Sequence, residues 1–115
     1  MTVPEDSMYI DQDIRFKPGV YYVPNGMHIL ADNITVDGAG AVLVGKARNG
    51  SAIRLYGRKN VTVKNLQIQE FKFGFDVQRC EQITIQACRI TSTAELRANT
   101  DFLDAQLQLD ESGYI

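Results

Sequence analysis

The run SAIRLYGRKNVTVKNLQIQEFK, residues 51–72, lies over FGFDVQRCEQITIQACRITSTA, residues 73–94, at a constant spacing of 22. The alignment sets Ile53 over Phe75, Leu55 over Val77, Val61 over Ile83, Val63 over Ile85, Leu66 over Cys88 and Ile68 over Ile90. Every matched pair is apolar, and the residues between are mostly polar or charged. Each repeat therefore reads as three short alternating strands, whose apolar faces stay wet until another repeat stacks on them. Equivalent strands return in the same direction after a whole coil, so they must pair in parallel. The predicted architecture is an all-β solenoid of three to four coils, spaced about 4.8 Å apart.

Upstream, Asn33-Ile34-Thr35-Val36 matches Asn60-Val61-Thr62-Val63 and then Gln82-Ile83-Thr84-Ile85, at spacings of 27 and 22 residues. The five extra residues fall at two corners: Asp37 to Ala41, lengthened by two, and a glycine-bounded basic loop from Gly45 to Gly50 carrying Lys46 and Arg48. Met27 and Ile29 take the columns of Ile53 and Leu55. Before them, Pro18-Gly19 and Pro24-Asn25-Gly26 bracket a strand, Val20 to Val23, which with Ile14 and Phe16 reads as the end cap of the solenoid. The chain thus divides into a lead and cap strand at 1–26, coils at 27–94 and a tail at 95–115.

The tail is ambiguous: 94–110 fits a helix through Leu96, Leu103 and Leu107, or a strand through Ala105, Leu107 and Leu109. Ser112-Gly113-Tyr114-Ile115 looks like Lys72-Phe73-Gly74-Phe75, the opening of a coil, so the chain reads as the amino-terminal piece of a longer solenoid. On that reading the last coil, around Phe75 to Val77 and Ile83 to Ile85, keeps an open edge that recruits other chains unless 94–115 folds over it.

Composition narrows the classes. At 115 residues, with 44% hydrophobic and 23% charged content, the chain suits one thin-cored domain. A net charge of −2 with interspersed signs leaves no electrostatic footprint for nucleic acid or an anionic membrane, and no stretch has the apolar length of a span. The first ten residues lack the basic and apolar regions of an export signal. Cys80 and Cys88, eight residues apart in one coil, read as reduced, with Cys88 a small core residue under Leu66; with one histidine they make a poor zinc set.

Three runs carry a family resemblance: Pro18-Gly19-Val20-Tyr21-Tyr22-Val23, Asp32-Asn33-Ile34-Thr35-Val36-Asp37-Gly38-Ala39-Gly40 and Asn60-Val61-Thr62-Val63-Lys64-Asn65-Leu66. Together they resemble the beginning of right-handed parallel β-helix proteins of the pectate-lyase-like superfamily, over roughly residues 14 to 94. Asp101-Phe102-Leu103-Asp104 is similar to a segment of bacterial β-helix repeat proteins in which a tryptophan tends to follow; here Ala105-Gln106 follows. The resemblance implies a right-handed coil and a carbohydrate-related protein working outside the cytoplasm. Polysaccharide lyases, glycoside hydrolases and epimerases dominate that superfamily, many lyases using calcium. A non-catalytic scaffold for a glycan or protein, or a segment of a surface or phage fibre, is the alternative.

The alignment that stacks Met27, Ile53 and Phe75 inward stacks His28, Arg54 and Asp76 outward, with Leu30, Tyr56 and Gln78 in the column beside them. At about 4.8 Å per coil Arg54 is expected to contact Asp76. Arg54 would grip a uronate carboxylate while a neighbour moves a proton, and Tyr56 and Gln78 would stack on and hydrogen-bond a sugar. The simpler reading is a solvated ion pair, which any exposed parallel sheet tends to hold. Asp32 and Asp37 flank the first matched strand on different corners, which suits capping better than a shared calcium. Gly38-Ala39-Gly40 reads as a corner, since a strand and not a helix follows it. Asn33, Asn49 and Asn60 each open a formal glycosylation sequon.

Overall fold

A computed structural model describes residues 1–47 and 49–91 together with the strands Leu107–Leu109 and Gly113–Tyr114. The expectations that rest on Arg48, on Leu96, Leu103 and Ala105, and on 101–104 lie outside the described residues. Four coils of three strands stack as a parallel β-solenoid. The first holds β1 (Tyr9–Ile10), β2 (Ile14–Arg15) and β3 (Val20–Tyr22), and the second β4 (Met27–Ile29), β5 (Thr35–Asp37) and β6 (Val42–Val44). The third holds β7 (Ser51–Tyr56), β8 (Thr62–Lys64) and β9 (Gln67–Gln69), and the fourth β10 (Phe73–Gln78), β11 (Ile83–Gln86) and β12 (Arg89–Thr91). One strand from each coil contributes to each of three sheets, so every alternate residue meets its counterpart one coil away.

The registers follow the apolar alignment. Phe75 pairs with Ile53, Val77 with Leu55, Ile85 with Val63 and Ile90 with Ile68, all in parallel. Three continuous inward columns result: Ile10, Ile29, Leu55 and Val77; Ile14, Val36, Val63 and Ile85; and Tyr21, Leu43, Ile68 and Ile90. Nearly all of these side chains are buried, which removes from water the face that no single coil can cover. The two corner insertions also fall as expected. Asp37 pairs with Lys64, Val42 with Gln67 and Ser51 with Phe73, so the offset shrinks from 27 residues to 25 and then to 22.

The first coil is more complete than its reading as a cap: Ile14 and Val20 to Tyr22 pair with the second coil at the full 22-residue offset. Beyond it Thr2 adds one parallel bridge to Phe16, its N–H donating to the Arg15 carbonyl and its own carbonyl accepting from the Lys17 N–H, both at 2.8 Å. At the other end, β13 (Leu107–Leu109) pairs antiparallel with β11, and β14 (Gly113–Tyr114) pairs antiparallel with β10. A coil opened by Ser112 to Ile115 would run parallel, so the direction of β14 differs from that expectation. On the edges expected to stay open unless 94–115 folds over them, Asp76, Val77 and Ile83 to Ile85 are paired by these two strands. Folding back satisfies the N–H and C=O groups that those strands would otherwise leave bare.

Corners are held by left-handed residues and by polar side chains. Asn33, Asn60 and Gln82 occupy equivalent corners with φ of 59°, 55° and 54°, and the Asn60 Nδ2 donates to the Asn33 Oδ1 at 3.0 Å. Asparagine tolerates this backbone because its short amide bonds locally. Asn65 (φ 57°) and Ala87 (φ 51°) turn the next corner, where Gly38 is required because a β-carbon there would lie 2.5 Å from the Asn65 carbonyl oxygen. Both cysteines are free and buried, the Cys80 thiol donating to the Leu55 carbonyl at 3.2 Å. Burial raises the Cys88 thiol pKa, consistent with an inert core residue.

Candidate functional site

The outward face of the sheet β1-β4-β7-β10 gathers the sequence-predicted residues. Its first column runs Tyr9, His28, Arg54 and Asp76 in strict register, and beside it Tyr56 pairs with Gln78. His28 lies between two phenol rings, 5.6 Å from Tyr9 at a tilt of 34° and 6.1 Å from Tyr56 edge-on at 72°. The half-buried imidazole loses hydration, and the Arg54 charge one coil away adds repulsion, so its pKa is lowered and the neutral ring is favoured. A neutral imidazole offers one donor and one acceptor.

Arg54 and Asp76 share the predicted rung, yet among the described residues no ion pair joins them. Arg54 runs back towards the corner and its Nη1 donates to the Asn25 carbonyl at 2.6 Å. Asn25 is itself fixed, its backbone N–H and its Nδ2 both donating to the Asp6 carboxylate at 2.8 Å. Asp76 leans the other way: the Tyr56 hydroxyl donates to its Oδ2 at 2.8 Å and the Gln78 Nε2 to its Oδ1 at 3.1 Å. The expected direct contact therefore gives way to two local networks. At 8% exposed, Asp76 reaches neutral donors that lie within the low-dielectric surface. Arg54 keeps its guanidinium wet while satisfying a carbonyl.

These networks divide the face chemically. Asp76 orients the Tyr56 hydroxyl and the Gln78 amide, so it acts as a positioning group rather than as a free carboxylate. Tyr9 is 64% exposed, Leu30 50% and Tyr56 39%, which leaves a ledge of apolar and aromatic surface around His28. Tyr9 escaped the sequence reading because its coil was taken as lead and cap. The spacing of Met8-Tyr9-Ile10 from Met27-His28-Ile29, apolar-outward-apolar in both, carries the signal.

A calcium ion does not suit Asp32 and Asp37. Asp32 Oδ1 accepts the Lys59 N–H at 3.0 Å and faces the Arg58 Nε at 3.7 Å, whereas Asp37 Oδ1 accepts from Ala39 at 2.9 Å and from the Asn65 amide at 3.1 Å. Each carboxylate closes its own corner, short of the six to eight oxygens that calcium gathers. The bonds from Asn65 and Ala39 lower the Asp37 pKa, with Lys64 and Arg15 adding to the effect. Among the described residues no three His, Cys, Asp or Glu side chains cluster as metal ligands.

Comparison of the chain with protein-family models, with curated proteins and with solved structures finds no match.

Proposed function

We propose that this chain is part of a carbohydrate-related parallel β-helix protein acting outside the cytoplasm, and that the β1-β4-β7-β10 face holds a glycan without transforming it. The observation that carries this reading is the His28 ring set between the exposed phenols of Tyr9 and Tyr56, flanked by a guanidinium and an oriented hydroxyl and amide. Aromatic faces pair with the C–H faces of sugars, and fixed donors and acceptors read the hydroxyl groups at the ring edge. Arg54 retains donors beyond the one given to Asn25, which favours a uronate over a neutral sugar. Asp76 is tied to Tyr56 and Gln78, and His28 sits beside no second carboxylate in its column, so the acid and base pair of a hydrolase is not assembled on this face. A lyase or hydrolase centre, with calcium if it uses any, belongs on this reading to coils beyond those described.

Because His28 is the sole histidine, its ring resonances report the site directly. Titration with oligogalacturonate is expected to shift them, with a smaller effect from an uncharged oligosaccharide. Tyr9→Ala or Tyr56→Ala should weaken binding about fivefold, the worth of one aromatic contact. Unmoved His28 resonances at millimolar sugar of either kind would remove this reading.

A further inference from the structure

Two Asn-Gly dipeptides lie on this surface, Asn25-Gly26 and Asn49-Gly50, and the fold treats them in opposite ways. Such a pair can cyclise: the Gly backbone nitrogen attacks the asparagine Cγ, its proton and the side-chain amide leave together as ammonia, and a succinimide closes. Water then opens the ring to aspartate or isoaspartate. No oxidant or cofactor is needed, because water is the only co-reactant. The reaction requires a free carboxamide and an amide nitrogen able to approach it, which glycine permits for want of a β-carbon.

Both requirements fail at Asn25. Its Nδ2 and backbone N–H donate to the Asp6 carboxylate at 2.8 Å, and the Gly26 N–H donates to the Val23 carbonyl at 2.9 Å. Gly26 is also pressed against the next coil, since a β-carbon on it would lie 2.0 Å from the Ser51 carbonyl oxygen. At Asn49 the situation reverses. Its backbone N–H donates to the Lys46 carbonyl at 3.1 Å, but among the described residues neither its carboxamide nor the Gly50 N–H has a hydrogen bond. Both residues are exposed. The other described asparagines, Asn33, Asn60 and Asn65, precede Ile34, Val61 and Leu66, whose branched side chains hinder attack.

We infer that Asn49 is a self-modification site, converting to aspartate or isoaspartate in the folded protein while Asn25 is protected. The product adds a negative charge one residue before Gly50, and Gly50 itself lies close to Arg54, a β-carbon on it falling 3.5 Å from the Arg54 Nη2. An anionic partner of Arg54 then meets a competitor built by the chain itself.

The test is to hold the intact protein in mildly alkaline buffer at warm temperature and follow both sites by peptide mass mapping with isoaspartate detection. The native protein should modify at Asn49 at least about tenfold faster than at Asn25, since freeing Asn25 breaks hydrogen bonds to a charged group. In denaturant the two rates should converge. Asp6→Ala should raise the Asn25 rate, and Asn49→Gln should abolish the Asn49 product without changing the circular dichroism of the fold. Equal native rates at the two sites, or an Asn49 that survives in the folded protein while the denatured chain reacts, would overturn the assignment.

Discussion

Inside the sheet β4-β7-β10, Met27, Ile53 and Phe75 each bury against the residue directly one coil away. Outside the same strands, Arg54 and Asp76 share a rung just as strictly and bind elsewhere, one to the Asn25 carbonyl and the other to Tyr56 and Gln78. The difference is one of alternatives. An apolar side chain inside has only its stacked neighbours to touch, so register and contact coincide. A long polar side chain outside chooses among carbonyls, hydroxyls and water, and an exposed ion pair is worth only about 0 to 1 kcal/mol. Any well-placed local partner outcompetes it.

The sharpest way to break the inward rule is to charge a column. Ile85→Asp, or Val63→Asp, puts an unpaired carboxylate between aliphatic neighbours and is expected to abolish folding, whereas Lys64→Asp on the outer face should cost within about 1 kcal/mol. Thermal denaturation followed by circular dichroism separates these outcomes, and similar melting temperatures for all three would show that the faces are misassigned.

A double-mutant cycle sharpens the outward rule. Tyr56→Phe combined with Asp76→Asn should show a coupling of about 1 kcal/mol, because a hydrogen bond to a charged, nearly buried group is lost. Arg54→Gln combined with Asp76→Asn should be additive within about 0.5 kcal/mol. Coupling of the second pair as strong as the first would restore the ion pair.

The smallest expected effect concerns His28. Its folded pKa is lowered by burial and by Arg54, so below the ordinary histidine value the unfolded chain binds a proton that the folded one refuses. Stability is therefore unpenalised above about pH 6.5 and declines as the pH falls from there towards the folded pKa. Urea midpoints measured across that window should drop modestly for the native protein and stay flatter for His28→Gln. A native midpoint that rises on acidification would contradict the sign.

The inward columns were legible in the sequence because burial leaves a period: Val61, Val63, Leu66 and Ile68 recur as Ile83, Ile85, Cys88 and Ile90. The corner insertions were legible for the same reason, since they interrupt that period at glycines. What alternation cannot encode is where a side chain leans once it is outside. The candidate residues therefore fell on one face as aligned, but the Arg54 to Asp76 contact did not form. Tyr9 was obscured by a first coil only 19 residues from the next at β1, where Tyr9 meets His28. The Asn33 to Asn60 bond was hidden although the two residues align in the repeat, because a left-handed φ is a property of the corner rather than of the residue pattern.

The reversed strands β13 and β14 make the two ends of the stack unlike each other in the manner of a growing crystal face. A parallel rung hands on the evenly spaced, slanted bonding pattern that it received, so each layer is a seed for an identical layer. An antiparallel rung hands on a different one, with narrow and wide bond pairs in alternation. The β14 and β13 layers on β10 and β11 thus interrupt the lattice in two of the three sheets. A second copy that offered its own β1 or β2 to those layers would meet a strand running against the direction of the stack, so the repeat of identical parallel layers changes character at that end.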